Sequence, residues 1–164
     1  MNLEDFNNLS QGQAAAILRP CLDVERWIND IVASRPYSSN DELLATGYRS
    51  AETLSEAETA AALAHHPRIG ERADGNSAEA HLSRGEQADL QLNDDITAQL
   101  SAANRAYEAR FNRVFLIRAA GRSSAEILSE CERRLGNADD IEAREVAEQL
   151  SAIALLRLEN AISN

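Results

Sequence analysis

The sequence contains no lysine, because all 16 basic residues among its 164 residues are arginine. A lysine Schiff base is therefore excluded, and with it pyridoxal phosphate and class I aldolase chemistry. A phosphate-binding loop of the GxxxxGK[ST] type is excluded for the same reason. Arginine stays protonated and makes planar, forked hydrogen bonds, so positive groups in a site of this chain are expected to bind anions and not to act as bases.

Other features are scarce as well. Aromatic residues make up only 4% of a chain rich in alanine, which favours packed helices over a sheet. Cys21 and Cys131 show neither CxxC nor zinc-ligand spacing, which favours free thiols. No apolar run approaches the ~20 residues of a membrane span, and the acidic, polar N-terminus is unlike a signal peptide. With a net charge of −11, we expect a cytoplasmic protein that binds neither nucleic acid nor membranes.

Length and composition predict a single domain spanning residues 1–164, since 44% of the residues are apolar and can fill one core. Capping patterns and prolines predict an all-α fold of about eight or more helices, with no convincing strand. The run VFLI, residues 114–117, is interpreted as the start of a core segment because no partner strand exists for it. Helices are predicted over about 11–19, 22–33, 40–49, 55–66, 84–91, 95–111, 124–135 and 140–159.

The stretch AHHPRIGER, residues 64–72, holds two of the three histidines. Pro67 disfavours α geometry at the preceding residue, so the helix opened by the Ser55-x-x-Glu58 capping-box pattern is predicted to end at the histidines. His66 would then project into irregular chain. A histidine at a helix C-terminus can also be purely structural, since the helix dipole favours its cation. Adjacent histidines point about 100° apart on a helix, so no metal site is predicted.

A second pattern, Ser83-x-x-Glu86, is typical of a capping box that opens a helix over about 84–91. Under one interpretation, Glu86 only binds the amide of its own cap. Under the other, it belongs to a site, because free N–H groups make a helix start a place where anions bind. Both interpretations put residues 83–87 at the start of a helix, and only the second requires that start to face His66.

In the last helix, Arg157 continues an apolar stripe formed by Val146, Leu150 and Ile153, which predicts a permanent charge on the core-facing side. The arginine stem could lie on apolar surface while its head reaches water or a carboxylate. Alternatively, its guanidinium could form the floor of a pocket for an anionic ligand. With the histidine and glutamate described above, it is predicted to converge on one small cleft that binds an anion and moves a proton.

Seven motifs occur along nearly the whole chain, and their combination is specific. They are RPYSS at 35–39, HPRIG at 66–70, SRGEQADL at 83–90, NRAYEARF at 104–111, FLIRAAGR at 115–122, RLGN at 134–137 and IALLRL at 153–158. On these motifs the chain resembles the family of 2-oxo-4-hydroxy-4-carboxy-5-ureidoimidazoline (OHCU) decarboxylases of urate degradation. The resemblance implies an all-helical single domain, commonly a homodimer, that needs no cofactor and converts OHCU, a small anionic substrate, to (S)-allantoin and CO2.

The resemblance also implies which residues form the site. His66 and Glu86 match the catalytic residues of the family, whereas His65 matches no family role. The matching substrate-binding positions are Pro67, Ser83, Arg84, Gly85, Gln87, Leu116, Ile117, Arg118, Ala119, Ala120 and Arg157. The chain departs from the family at 112–114, where Asn-Arg-Val stands in place of the glycine and aromatic residue that many members have between two phenylalanines.

Two other classes of function compete with this hypothesis. The chain could be a non-catalytic helical module that binds a partner through its last helix, in which case it would not accelerate the decay of OHCU. It could also be a metal-dependent hydrolase that uses its histidines, in which case chelators would abolish its activity.

Overall fold

A computed structural model describes residues 1–64, 66–71, 77–88 and 90–163 of the chain. These residues form nine helices and no strand, which confirms the predicted all-α class for the described part of the chain. None of the described helices has the length and apolar character needed to cross a membrane. In chain order the helices are α1 (Leu3–Asn8), α2 (Gln11–Leu18), α3 (Glu25–Ala33), α4 (Asn40–Ala51), α5 (Glu56–Leu63), α6 (Ala78–Glu86), α7 (Asp94–Phe111), α8 (Ser124–Leu135) and α9 (Asp139–Ala161).

The helices form two compact units. One comprises Met1–Ala62 with Ser151–Asn164, and the other comprises Leu63–Leu150. Helix α9 contributes its residues up to Leu150 to the second unit and its remaining residues to the first. The single domain that the chain length predicts stays a prediction.

The first unit has a core built around Trp27, whose side chain is fully buried and whose indole Nε1 donates to the Gly47 carbonyl at 2.9 Å. Gly47 lies where α4 meets the end of α9. A Cβ atom built on it would come within 3.1 Å of a methyl group of Leu158 and 3.3 Å of one of Leu155. Glycine therefore permits a close approach of the two helices that a larger side chain would prevent without adjustment.

The second unit has its core between α7, α8 and the non-helical chain that joins them. Tyr107 is fully buried, and its ring centroid lies 4.8 Å from that of Phe111 and 5.1 Å from that of Phe115. Ile127 and Cys131 of α8 belong to the same core cluster. Neither cysteine belongs to a disulfide bond, as predicted, and both are buried. Burial raises the pKa of the Cys131 thiol to about 11.

Several predicted helix boundaries are confirmed because side-chain caps set them. Ser10 and Gln13 form a reciprocal capping box at the start of α2, and Ser55 and Glu58 do the same at α5 through bonds of 2.8 and 3.2 Å. The predicted span 124–135 coincides with α8. Helix α1 was not predicted, α3 begins three residues later than expected, and the cap of α4 is Ser39, not the residue that follows it.

Candidate active site

His66 lies immediately beyond the end of α5, which stops at Leu63. Its backbone N–H donates to the Leu63 carbonyl at 3.0 Å, and its side chain is half-buried. The prediction that the helix ends before Pro67 and leaves His66 in irregular chain is therefore confirmed. His65 lies outside the described residues. Within the part of the chain that is described, no group of three or more His, Cys, Asp or Glu side chains is arranged to hold a metal ion.

The segment that carries His66, residues 66–71, is held by side chains from two helices. From α7, the Asn104 amide Nδ2 donates to the Ile69 carbonyl at 2.9 Å. From the end of α6, the Gln87 side-chain oxygen Oε1 accepts from the Gly70 N–H, also at 2.9 Å. Gly70 adopts a φ of 85°, which side chains with a Cβ rarely do, so this turn requires glycine. These bonds fix the backbone a few residues beyond the histidine.

An ion pair fastens the same segment to α7. The Arg68 guanidinium makes a two-pronged contact with the Glu108 carboxylate, in which Nη2 lies 2.9 Å from Oε2 and Nε donates to Oε1. Glu71 is a second, more distant partner of Arg68 at 3.7 Å. Hydrogen bonding to Arg68 holds the pKa of the Glu108 carboxyl below its ordinary value. The pair is partly exposed, so its charge is neutralised locally although solvent reaches it.

The predicted capping box at Ser83 and Glu86 is wrong. Helix α6 begins at Ala78, where Ser77 accepts from the Ala80 N–H at 3.1 Å, and it ends at Glu86. The predicted helix over 84–91 is therefore replaced by a helix that begins six residues earlier, at Ala78, and ends at Glu86, near the predicted start. Glu86 is therefore not at a helix start, where free N–H groups would bind an anion, because it lies at the C-terminal end of α6.

The other residues of the SRGEQ run are spread over the last turn of α6 and its cap. Ser83 is buried, Gly85 is exposed, and Glu86 and Gln87 are half-buried. Arg84 is half-buried, and its Nη2 lies 3.1 Å from Nδ1 of His81. Through the Gly70–Gln87 hydrogen bond, the chain four residues beyond His66 meets the residue that follows Glu86. This contact brings the HPRIG and SRGEQ motifs together, as one site requires.

The second candidate segment, residues 115–120, contains the predicted binding run 116–120 and lies between α7 and α8. Its first three residues and Ala119 are buried, Ala120 is half-buried and Arg118 is exposed. The interpretation of 114–117 as a core segment is confirmed, since these residues form no strand and include two of the core residues of the second unit. Immediately before it, Asn112 ends α7 with a φ of 52° in the left-handed region. Asparagine tolerates this conformation better than other non-glycine residues, which suits it to the end of this helix.

Below this segment lies a buried charged network. Arg134 of α8 is 1% exposed and Glu142 of α9 is fully buried, and Nε and Nη2 of the arginine lie 2.9 and 2.5 Å from Oε1 of the glutamate. Arg134 also donates from Nη1 to the Leu116 carbonyl at 2.8 Å. Tyr107 donates its hydroxyl to Glu142, and Asn137 donates to the other carboxylate oxygen at 2.8 Å. Burial and the bond to Glu142 raise the pKa of Tyr107.

The two segments are supported by neighbouring turns of one helix. Asn104 contacts the segment of His66, and Tyr107, three residues further along α7, belongs to the network under Leu116. Residues three apart lie on adjacent turns of a helix, so α7 fixes both segments from one face. The NRAYEARF motif of the sequence thus supplies the support of the site, a role that the sequence reasoning did not assign to it.

Arg157 belongs to the first unit. It is 4% exposed, on the same stripe as the buried Val146, Leu150 and Ile153, which confirms that this charge faces inward. Its Nη1 donates to the Pro20 carbonyl at 3.1 Å. One interpretation expected the guanidinium to reach water or a carboxylate. It is buried and does not extend into water. Ligand binding by Arg157 stays a prediction.

Sequence reasoning missed Arg134, Glu142 and Gln149, although a signal for the first two exists. Arg134 follows Ile127 and Cys131 at spacings of 4 and 3, and Glu142 precedes Val146 by 4. Both charges therefore fall on apolar stripes, as Arg157 does, and two inward charges of opposite sign on consecutive helices indicate a buried pair. Gln149, whose side-chain oxygen accepts from the Arg118 N–H at 2.9 Å, has no such signal, because this contact is made to backbone.

Comparison with known proteins first places the fold. A crystal structure of an OHCU decarboxylase determined in the presence of (S)-allantoin superposes with a TM-score of 0.72 at 22% identity, covering 89% of this chain and 96% of that one. A crystal structure of (S)-allantoin synthase superposes with a TM-score of 0.74 at 16% identity, covering 99% of this chain and 54% of that one. The chain thus shares the all-α fold of these enzymes.

Sequence comparison then gives the family. The chain is 27% identical over 168 residues to a 2-oxo-4-hydroxy-4-carboxy-5-ureidoimidazoline decarboxylase of Haloferax volcanii, covering 100% of this chain and 98% of that protein. It is 26% identical over 163 residues to a uric acid degradation bifunctional protein of a Bacillus species, covering 97% of this chain and 32% of that protein. The OHCU decarboxylase family model matches residues 7–159. The chain belongs to the OHCU decarboxylase family and is a carboxy-lyase that acts on a small molecule.

Proposed function

We propose that this chain catalyses the cofactor-independent decarboxylation of OHCU to (S)-allantoin and CO2, a step of urate degradation. The match of the family model to residues 7–159 carries the proposal, since it spans both candidate binding segments. The Gly70–Gln87 hydrogen bond supports it, because it joins the segment of His66 to the end of the helix that carries Glu86.

The reaction requires the protein to position the substrate, to complement its charge and to supply a proton. The substrate carries a carboxylate on a ring carbon that also bears a hydroxyl. When the bond between this carbon and the carboxylate breaks, CO2 leaves and the electron pair is delocalised into the electron-accepting ring. A proton then adds to the neighbouring ring carbon, which bears the ureido group, while the hydroxyl loses its proton and becomes a ring carbonyl of allantoin. No external electron sink is needed, so the absence of lysine is no obstacle, and fixed polar groups around the developing charge supply the catalysis.

His66 is assigned to the hydroxyl and carboxylate side of the substrate and to the proton transfer, since imidazole both donates and accepts protons near neutral pH. Glu86 is assigned to the ureido or ring N–H groups, where it would hold the carboxylate out of the ring plane. Delivery of the proton to one face of the ring accounts for a single allantoin enantiomer. Pro67 next to the histidine, which also forms part of the site by resemblance, restricts the backbone at this point.

The remaining positions are assigned to recognition. Gln87 already accepts from Gly70 through Oε1, so its contribution to substrate would come from the two N–H donors of Nε2. Ser83, Arg84 and Gly85 would add contacts from the last turn of α6. In the segment 116–120, the Leu116 carbonyl and the Arg118 N–H are engaged by side chains of the protein, so other backbone groups of the run would contact the ring.

An overall charge of −11 repels an anionic substrate, so nearby arginines must offset it. Arg68 is a poor candidate, because Glu108 neutralises it. Arg118 is exposed, and Arg157 would bind a carboxylate or carbonyl oxygen as a fork. Screening over about 8 Å at physiological salt makes the more distant acidic residues matter little. The same negative charge is the reason to expect no affinity for nucleic acid or anionic membranes, and a cytoplasmic location stays part of the proposal.

A homodimer is part of the proposal, on the basis of family resemblance alone, and sedimentation equilibrium over a range of protein concentrations tests it. A mass equal to one chain at all concentrations would contradict it.

The proposed reaction is tested with fresh OHCU generated from urate by the upstream enzymes. The absorbance decay of OHCU should accelerate with chain concentration, and circular dichroism should show one allantoin enantiomer. Activity should persist in the presence of a chelator, since no metal takes part. Decay at the spontaneous rate, with racemic product, would support a non-catalytic helical module, and loss of the rate to the chelator would support a metal-dependent hydrolase.

A further inference from the structure

We propose that Gln149 is a positioning residue for the reaction, because together with Arg134 it fixes the backbone of residues 116–118. The inference rests on the proposed function, in which residues 116–120 contact the substrate. Its structural basis is a pair of side-chain bonds to one short piece of non-helical backbone. Arg134 donates to the Leu116 carbonyl at 2.8 Å, and the Gln149 side-chain oxygen accepts from the Arg118 N–H at 2.9 Å.

Arg134 provides the rigid end of this arrangement. Its guanidinium is buried between Glu142, the Leu116 carbonyl and the Phe115 ring, whose centroid lies 4.7 Å from the guanidinium carbon. A buried charge cannot move away from its partners without a large cost in desolvation, so the Leu116 carbonyl is tied to a fixed point. The Phe115 ring, which stacks under the guanidinium, reinforces the same position.

Gln149 holds the other backbone position, Arg118, through a side chain that is less buried than that of Arg134. It is half-buried on α9, and its side-chain oxygen accepts from the Arg118 N–H, a backbone donor that lies outside the described helices. Backbone donors of this kind need an acceptor, and a side-chain amide oxygen of the right length supplies one. Without it, residues 116–118 keep the bond at Leu116 and lose the bond at Arg118, so the groups that would face the ring can shift.

A shift of this kind acts on catalysis more than on folding. Reacting groups must be held in a near-attack geometry, and a displacement of about 1 Å can cost on the order of a hundredfold in rate. Gln149 itself contacts no reacting atom in this proposal, so its effect should follow its ability to accept a hydrogen bond. Glutamate in its place retains an acceptor of the same length, whereas methionine has similar length and lacks the carbonyl oxygen.

The test compares Gln149→Met and Gln149→Glu with the full wild-type chain, and uses Glu148→Met as the matched control on an exposed neighbouring position. Hydrogen exchange of the Arg118 amide, followed by NMR, reports the bond without reference to activity. We expect fast exchange only in Gln149→Met. We also expect its kcat/KM on OHCU to fall roughly tenfold, while Gln149→Glu stays within about threefold of wild type. The thermal midpoint of all three variants should change little.

The outcomes separate this inference from the proposed function. An active wild-type chain whose kcat/KM is unchanged in Gln149→Met overturns the positioning role of Gln149 alone. Equal losses in Gln149→Met and Gln149→Glu overturn it too, because the acceptor would then be irrelevant. A wild-type chain that leaves the decay of OHCU unchanged overturns the proposed function, and this inference with it.

Discussion

The two segments of the candidate site, 66–71 and 115–120, are both irregular chain, yet they are fixed in different ways. Segment 66–71 is held by neutral amide bonds and by an ion pair that solvent reaches, Arg68 with Glu108. Segment 115–120 rests on a fully buried ion pair, Arg134 with Glu142. The first segment is therefore held by weak bonds that can be removed independently. The second depends on a network in which the loss of one residue weakens the bonds of the others.

This difference matches what each segment is proposed to do. The first carries His66, a side chain that must exchange a proton and whose position can adjust as the substrate binds. The second offers backbone groups, which are useful only when they are already in place. Fixed dipoles stabilise developing charge because they need no reorganisation during the reaction. Changes in the first segment should then alter activity with small changes in stability, whereas changes in the buried Arg134–Glu142 pair under the second should alter stability first.

The largest effect is expected at His66. His66→Asn should lower turnover by on the order of 10²–10⁴, because general acid–base catalysis is removed. Its circular dichroism spectrum and thermal midpoint should stay those of the wild type, since the side chain is half-buried at the end of α5. The exposed His81 offers a matched control, and His81→Asn should retain most of the turnover. A near wild-type rate in His66→Asn would remove this residue from the mechanism.

Breaking the buried pair should produce the largest change in stability. Glu142→Gln removes the close counter-charge of Arg134 and leaves the more distant Glu145 carboxylate at 3.8 Å, at a cost of about 3–5 kcal/mol in the free energy of unfolding. Denaturant unfolding measures this change. Glu130→Gln is the control, because Glu130 pairs with Arg133 at the surface and such pairs contribute about 0.2–1 kcal/mol. Equal losses in the two variants would mean that the buried network does not carry the stability assigned to it.

A smaller effect is expected from Asn104→Leu, which keeps the volume and removes the donor to the Ile69 carbonyl. Leaving that carbonyl unpaired should cost about 1–3 kcal/mol and should also lower kcat on OHCU, because the segment of His66 loses an anchor. Ser101→Ala, one turn earlier in α7, should stay within about 0.5 kcal/mol of wild type. Full activity in Asn104→Leu would show that His66 is positioned without this bond.

The smallest effect concerns the pH dependence of stability. Hydrogen bonding to Arg68 lowers the pKa of Glu108 in the folded chain. Its stabilising contribution is therefore complete above the ordinary glutamate pKa of 4.5 and is lost as the pH falls through the lowered value. The difference in thermal midpoint between wild type and Glu108→Gln should shrink as the pH is lowered below 4.5.

Arg68→Gln serves as the reciprocal variant in this experiment. It should remove the same acid-dependent part of the stability, and the double variant should lose no more than either single one. A difference between wild type and Glu108→Gln that is independent of pH would show that the pair does not stabilise the segment.

The sequence predicted the fold class and most helices because their determinants are local. Ser10 and the Ser55–Glu58 box cap the helices that they were expected to cap. The same pattern gave a wrong prediction of a helix start at Ser83 and Glu86, because a serine three residues before a glutamate also occurs inside a helix. The true cap, Ser77, has alanine at the third helical position and so lacks the reciprocal signal.

The site was predictable as a list of motif residues and only partly as an arrangement. The position of His66 follows from the proline after it. The pairing of Arg134 with Glu142, and the hold of Gln149 on the Arg118 N–H, depend on how α8 and α9 pack, which no local pattern specifies. The buried charges were nevertheless detectable, because each falls on an apolar stripe of its own helix.

A crystal structure of this chain with (S)-allantoin bound tests the central claim most directly, since that claim joins two separately supported segments in one site. The account predicts that the ligand contacts the His66 imidazole and, at the same time, backbone groups of residues 116–120. Allantoin bound at full occupancy away from either segment would contradict it.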